Sequence, residues 1–209
     1  MDIVRVNEIF VSLQGEGTRA GLPCAFVRLS GCNLRCRWCD TARAWDGGDD
    51  MDLADVLQAV ASLGCGRVEV TGGEPMLQPS TPDLLARLCD AGFETLLETN
   101  GSLELSRVDG RVVKIVDVKC PSSGEAGSFL EANLAHLSPR DEVKFVLADR
   151  TDFDYARGLL ARHAELARAT VIFSPVLDRL TPATLAKWLL DARLDVRLGV
   201  QLHKIIGVP

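Results

Sequence analysis

The chain has 209 residues, 47% of them hydrophobic, and a formal charge of -6. That length supports one well-buried core, or at most two small ones. The acidic balance argues against a broad nucleic-acid surface, though not against a local basic pocket. No stretch approaches the ~20 apolar residues of a membrane-spanning helix. Met1-Asp-Ile-Val-Arg5 has neither the basic start nor the apolar run of a secretion signal. The expectation is a cytoplasmic protein with no membrane or nucleic-acid partner.

Residues 8–13 alternate Ile9, Val11 and Leu13, the period of a short strand. In Gln14-Gly-Glu-Gly17 the glycines allow positive φ or close backbone approach. Glu16 between them either points into a pocket or lies solvated in a hairpin turn. Residues 24–29 read as a core strand, where Arg28 is out of place on a buried face unless it meets an anion. A cysteine-rich loop follows, at the strand end where parallel α/β folds build their sites.

Residues 42–50 read as a loop. Asp50 or Asp52 starts a helix with Leu53, Val56, Leu57, Val60 and Leu63 on one face, stopped by Gly64 and Gly66. Residues 67–70 make a second core strand, which runs into Thr71-Gly-Gly-Glu-Pro75. Thr81-Pro82 has the cap-then-proline order of a helix start, and Leu84, Leu85 and Leu88 form its stripe. Residues 93–97 are a third strand, leading to Glu98-Thr-Asn-Gly101. Residues 112–118 are a fourth, leading to Lys119-Cys-Pro-Ser-Ser-Gly124, and residues 142–147 a fifth. A helix over about 153–166, a sixth strand over 171–173 and a helix begun by Thr181-Pro182 complete the series. Helical patterns are clear after strands one, two, five and six and weak between three and five. This predicts a single α/β domain over 1–209, six parallel strands with reduced helical cover.

Of seven cysteines, Cys24, Cys65, Cys89 and Cys120 are scattered and read as free thiols packed as small hydrophobes. Cys32, Cys36 and Cys39 are spaced C-x3-C-x2-C. A soft metal centre explains three such close thiols, because several sulfur ligands must converge. Full ligation of a 4Fe-4S cluster takes four cysteines. Three leave one iron open to a small molecule. The alternative is a zinc knot, which needs a fourth ligand; of His136, His163 and His203 none is near the trio in sequence, though His203 could return in space.

The trio, with Trp38 just before its last cysteine, resembles the signature of the radical S-adenosylmethionine (SAM) enzymes. Together with Glu8-Ile-Phe-Val-Ser-Leu-Gln-Gly-Glu-Gly17, Asp40-Thr41, the segments starting at Thr71, Glu98 and Asp117, and the tail 203–209, it resembles more narrowly the 7-carboxy-7-deazaguanine synthase family. That resemblance implies a partial (β/α)6 TIM-like barrel. It also implies a 4Fe-4S cluster on Cys32, Cys36 and Cys39, with SAM and Mg2+ as further cofactors. The implied reaction is radical ring contraction of 6-carboxy-5,6,7,8-tetrahydropterin to 7-carboxy-7-deazaguanine, with loss of ammonia, in queuosine biosynthesis.

On the same resemblance Trp38, Gly72, Gly73, Glu74, Glu98, Asn100, Lys119 and Ser122 meet the cofactor, and Thr41 binds magnesium. Gln14, Glu16, Arg28, Thr71, His203 and Pro209 meet the substrate. Gln14 and Glu16 suit a pterin edge, and Arg28 a carboxylate. Each has a structural alternative: a core tryptophan, loop caps, surface pairs, a turn cap at Asp40 or Thr41, a solvated tail histidine. The N-terminal segment supplies substrate contacts and the tail folds back to close the site. A homodimer and an external electron donor such as flavodoxin are further implications. Two other functions compete: an activase that makes a glycyl radical in a partner enzyme, and a non-catalytic iron–sulfur electron carrier.

Overall fold

The structure, a computed structural model, describes residues 2–208. The first strand, β1 (Ile3–Leu13), runs antiparallel to β2 (Pro23–Leu29) with Phe10 opposite Phe26. It extends well before residue 8. Its first half alternates with polar Arg5 and Asn7, and the register slips between Val6 and Glu8, so that half carries no clean period-two signal.

Residues 42–50 are not simply loop. After a short 3-10 turn, Ala42–Ala44, the chain forms an edge strand, β3 (Asp49–Asp52), paired antiparallel with β1. The sequence Asp-Asp-Met-Asp hides this strand, since backbone pairing rather than an apolar face holds it. Helix α1 (Leu53–Ser62) follows, burying Leu53, Val56 and Val60. Asp52 stands at its N-cap but makes no side-chain cap bond.

Strand β4 (Arg67–Gly72) leads to α2 (Thr81–Asp90). Here Ser80 rather than Thr81 takes the N-cap position, and the Thr81 hydroxyl donates to the Pro75 carbonyl at 2.6 Å. Strands β5 (Glu94–Thr99) and β6 (Val113–Asp117) have no helix between them among the described residues. Only 3-10 turns, Pro121–Ser123 and Glu131–His136, separate β6 from β7 (Glu142–Leu147). Helix α3 (Arg150–Arg162) starts earlier than its apolar stripe, because Asp149 caps it by accepting from the Asp152 amide at 3.0 Å. Strand β8 (Thr170–Pro175) precedes α4 (Pro182–Ala192), capped by Thr181. A two-residue strand, β9 (Arg197–Leu198), and the short α5 (Leu202–Ile206) end the series.

All nine strands form one sheet in the order β3-β1-β2-β4-β5-β6-β7-β8-β9. From β2 onwards every neighbour is parallel. Six of these strands are the expected ones, and the missing crossover helices are those between strands three and five. Strand alternation divides the chemistry. Val68, Val70, Leu97, Val116, Val143, Phe145 and Phe173 face the helices in the main core. Leu96, Val113 and Ile115 make a small second cluster on the other face. Above them, Glu69, Thr71, Glu98, Asp117 and Lys144 line a cavity.

The sheet does not close on itself, since no ladder joins β9 to β1 or β3. Two irregular segments bridge the gap. The loop after β1 reaches the start of β7, where the Thr18 amide donates to Glu142 at 3.1 Å. Arg19 spans Glu94 at 2.6 Å and Glu142 at 3.1 Å. The tail joins that loop through the Leu202 amide and the Gly15 carbonyl at 2.8 Å.

Candidate active site

A cavity of about 660 Å³ opens among the carboxyl ends of the parallel strands, and Cys32, Cys36 and Cys39 are all in its wall. The loop carrying them leaves β2 and is held by its backbone: Gly31 N–H to the Ala44 carbonyl at 2.8 Å, Arg37 N–H to Ser123 at 3.0 Å. Arg35 donates to the carbonyls of Cys32 and Leu34 at 2.7 and 2.8 Å. Burial raises the Cys32 thiol and pushes that of Cys36 up to about 11, and the charge of the nearby Cys39 adds to both shifts. Trp38 also lines the cavity, with the Arg179 guanidinium 5.2 Å from its ring centre.

The loop after β4 lies against the cysteine loop. Gly72 has φ +146°, and a Cβ there would strike the Leu29 carbonyl; one on Gly73 would strike that of Gly31. Only glycines permit this approach. Both line the cavity, as do Thr71, Glu98 and Asn100. Glu74 does not. It is fully buried and accepts from the Thr99 hydroxyl (2.8 Å), the Asn100 amide (2.7 Å) and the Met76 amide (2.9 Å). Its carboxylate ties two loops together. Lys119 lines the wall and pairs with Asp117 at 2.9 Å. Ser122 points elsewhere: its hydroxyl donates to Asp149 at 2.9 Å, and Ser123 takes the place in the wall.

The loop after β1 supplies Gln14, Gly15 and Glu16 to the same cavity. The Gln14 amide donates to Glu69. Glu16 accepts from Lys144 at 2.6 Å and from Gln201 at 2.8 Å. His203 lies against Gly15 so closely that any side chain there would collide with its ring. Arg28 lines the cavity but already has an anion, Glu8, at 2.7 Å, which Arg43 shares at 2.7 Å. Thr41 also lines the wall; it makes no cap bond and donates instead to Asp40 at 2.9 Å. Asp40 in turn pairs with Lys204 of the tail at 2.7 Å. Pro209 lies outside the described residues.

Among the cavity residues that the sequence reading does not name are the polar Glu69, Asp117, Lys144 and Gln201. The first three occupy inward positions of the strand alternation. Their signal was a charge with buried neighbours on both sides, as in Val143-Lys-Phe145. Lys144 bonds Glu98 at 2.6 Å as well as Glu16, and comes within 3.7 Å of Asp117. Burial opposes ionisation of Glu98, but the Lys144 ammonium outweighs it and holds the carboxyl down at about 2. Burial and the Glu98 charge push Glu69 well above the usual range.

The chain is similar to known proteins. A family profile for the Radical SAM superfamily matches residues 26–192. A 7-carboxy-7-deazaguanine synthase of Koribacter versatilis (strain Ellin345) is 45% identical over 99% of this chain and 98% of its own. One from Chlorobaculum tepidum is 46% identical over 99% and 95%. The chain belongs to the 7-carboxy-7-deazaguanine synthase family. The crystal structure of QueE from Escherichia coli matches with a TM-score of 0.81 and 25% identity, over 96% of this chain and 95% of that one. The partial barrel is therefore that of this enzyme family.

Membership in the superfamily implies a 4Fe-4S cluster and SAM, and the residues present fit both. Among the described residues no three His, Cys, Asp or Glu side chains converge on one point. A cubane takes one thiolate per iron, so its cysteines stand apart around it. Three thiols of one short loop, set side by side in one wall, suit that demand. In the same wall Asp117 Oδ1 is a buried acceptor with no hydrogen-bond partner among the described residues, which suits a ligand rich in donors. Among the described residues no helix is long and apolar enough to cross a membrane.

Proposed function

We propose that this enzyme contracts the ring of 6-carboxy-5,6,7,8-tetrahydropterin to 7-carboxy-7-deazaguanine with loss of ammonia, in queuosine biosynthesis. The observation that carries this reading is a shared cavity: the cysteine loop, the Gln14–Glu16 loop and the His203 tail all line it. A protein-activating enzyme needs an open docking face there, and an electron carrier needs no substrate groups.

The cluster, when bound with SAM, supplies the radical chemistry that begins the rearrangement. Cys32, Cys36 and Cys39 would hold it. Gly72 and Gly73 expose backbone to the cofactor, and Glu98, Asn100 and Lys119 offer it acceptors and a donor. Gln14, Glu16, Thr71 and His203 orient the pterin edge. Arg28, already balanced by Glu8, meets the substrate carboxylate as a paired guanidinium, which tempers its grip. Glu74 acts from behind by fixing the Asn100 loop. Thr41 would hold magnesium with substrate oxygens, a hard-oxygen setting that gives the metal a Lewis-acid role beside the carboxylate. The tail and the N-terminal loop exclude water from the centre of this one domain. A second copy of the chain and an external donor such as flavodoxin complete the assembly; the sheet's missing crossover helices leave surface for the former.

The test is an anaerobic reaction of reconstituted enzyme with reductant, magnesium, SAM and the pterin, followed by mass detection. We expect 7-carboxy-7-deazaguanine, abolished by Cys36→Ala. SAM cleavage without that product, in enzyme with a full cluster, would overturn the substrate assignment.

A further inference from the structure

We propose that Lys144 is a positioning residue that fixes the pterin-facing Glu16 by tying it to the cofactor-facing Glu98. The inference rests on the ring-contraction reading above and adds to it a residue on β7. The Lys144 side chain is only 4% exposed, and its ammonium lies 2.6 Å from a carboxylate oxygen of Glu16 and 2.6 Å from one of Glu98. The third group facing it is Asp117 at 3.7 Å. Register puts it there: Lys144 pairs with Asp117 across the β6–β7 ladder, and its side chain takes the inward direction of the alternation.

The two carboxylates differ in what carries them. Glu98 is on a strand, while Glu16 is on a loop between two glycines and has no ladder to fix it. The Glu16 carboxylate is set by two side chains, Lys144 and Gln201. Gln201 itself accepts from Lys204 at 2.7 Å, and Lys204 pairs with Asp40 beside the last cluster cysteine at 2.7 Å. A continuous polar path thus runs from Lys144 through Glu16 and the tail to the cysteine loop. Without the ammonium, Glu16 and Glu98 are like charges in a buried site, and the loop-borne one moves away. A merely stabilising ion pair would behave otherwise: losing one partner would lower folding stability but leave the pterin affinity of the folded protein unchanged.

The experiment uses reconstituted holoenzyme with SAM and no reductant, so that binding is measured without turnover. 6-Carboxytetrahydropterin is titrated by anaerobic calorimetry into parent enzyme, Lys144→Met and Lys144→Met/Glu98→Gln, and KM and kcat are then measured with reductant added. We expect Lys144→Met to weaken pterin binding about tenfold or more, with KM rising more than kcat falls, and the double variant to recover part of the loss because one of the repelling charges is gone. Binding within about twofold of the parent, or a loss with no recovery in the double variant, overturns the role of Lys144. Should Lys144→Met fail to fold, Lys144→Arg decides: binding within about threefold supports the proposal and a tenfold loss overturns it. Parent enzyme that neither binds nor converts the pterin would overturn the functional reading itself, a result separable from any effect of Lys144.

Discussion

Glu69 and Glu98 are close enough to feel one another, yet their acidities are pushed in opposite directions. Glu98 has the Lys144 ammonium and the Thr71 hydroxyl, at 2.6 and 3.1 Å, and stays ionised. Glu69 is 3% exposed and meets that charge from deeper in the barrel, so burial and the Glu98 charge push its carboxyl up while its oxygen accepts from Gln14. A raised folded-state pKa means that the folded chain keeps a proton that the unfolded chain releases. Stability from this group is complete below the ordinary glutamate range and declines as pH rises from there towards the folded value. Glu69→Gln keeps the shape and the acceptor for Gln14 and removes the titration. Melting temperatures of both proteins between pH 4.5 and 8 should therefore diverge in favour of the variant as pH rises, by up to about 1.4 kcal/mol per pH unit within the window. A difference that stays constant with pH would show Glu69 to be ionised when folded.

At the scale of elements, the glycine loops after β4 and β5 are coupled by one buried carboxylate. Glu74 accepts from Met76 in its own loop and from Thr99 and Asn100 in the other. Glu74→Ala leaves three buried donors unmet and should cost about 3 kcal/mol or more in urea unfolding. Glu74→Gln should also destabilise, since an amide offers one oxygen and turns a donor on a donor. A loss below about 1 kcal/mol for the alanine variant would mean the bracket is idle. Gly72, Gly73 and Glu74 were visible together in the sequence as a site motif. Only coordinates separate the glycines, which line the cavity, from the glutamate, which fixes the loops. Legibility followed locality throughout. Helices α1, α2 and α4 declared themselves through short-range apolar periods. The edge strand β3 did not, because its pairing is all backbone. Lys144 did not, because its partners lie 128 and 46 residues away. The cysteine trio was legible because its three ligands lie within eight residues of one loop.

For the whole molecule, the barrel is completed by pieces that are not barrel. The sheet ends at β3 and β9, and the gap is spanned by the loop after β1 and by the tail. The tail is an unusual kind of wall. Its helix α5 buries no residue, and Ile205 and Ile206 remain 60% and 47% exposed. Hydrophobic stabilisation scales with area removed from water, so α5 contributes little to folding. What it contributes is polar and directed: His203 against Gly15, and Lys204 reaching both Gln201 and Asp40. Removing residues 202–209 should therefore leave the far-UV circular dichroism and the iron content of reconstituted protein nearly unchanged, with a melting temperature lowered by only a few degrees, on the order of 1 kcal/mol. Pterin binding should fall at least about tenfold, because the site loses a donor, a wall and the clamp on Asp40 at once. A truncated chain that binds pterin as well as the full one would show that the barrel and the Gln14–Glu16 loop suffice. A chain that no longer folds would show that the polar clamp, rather than buried area, holds the barrel shut.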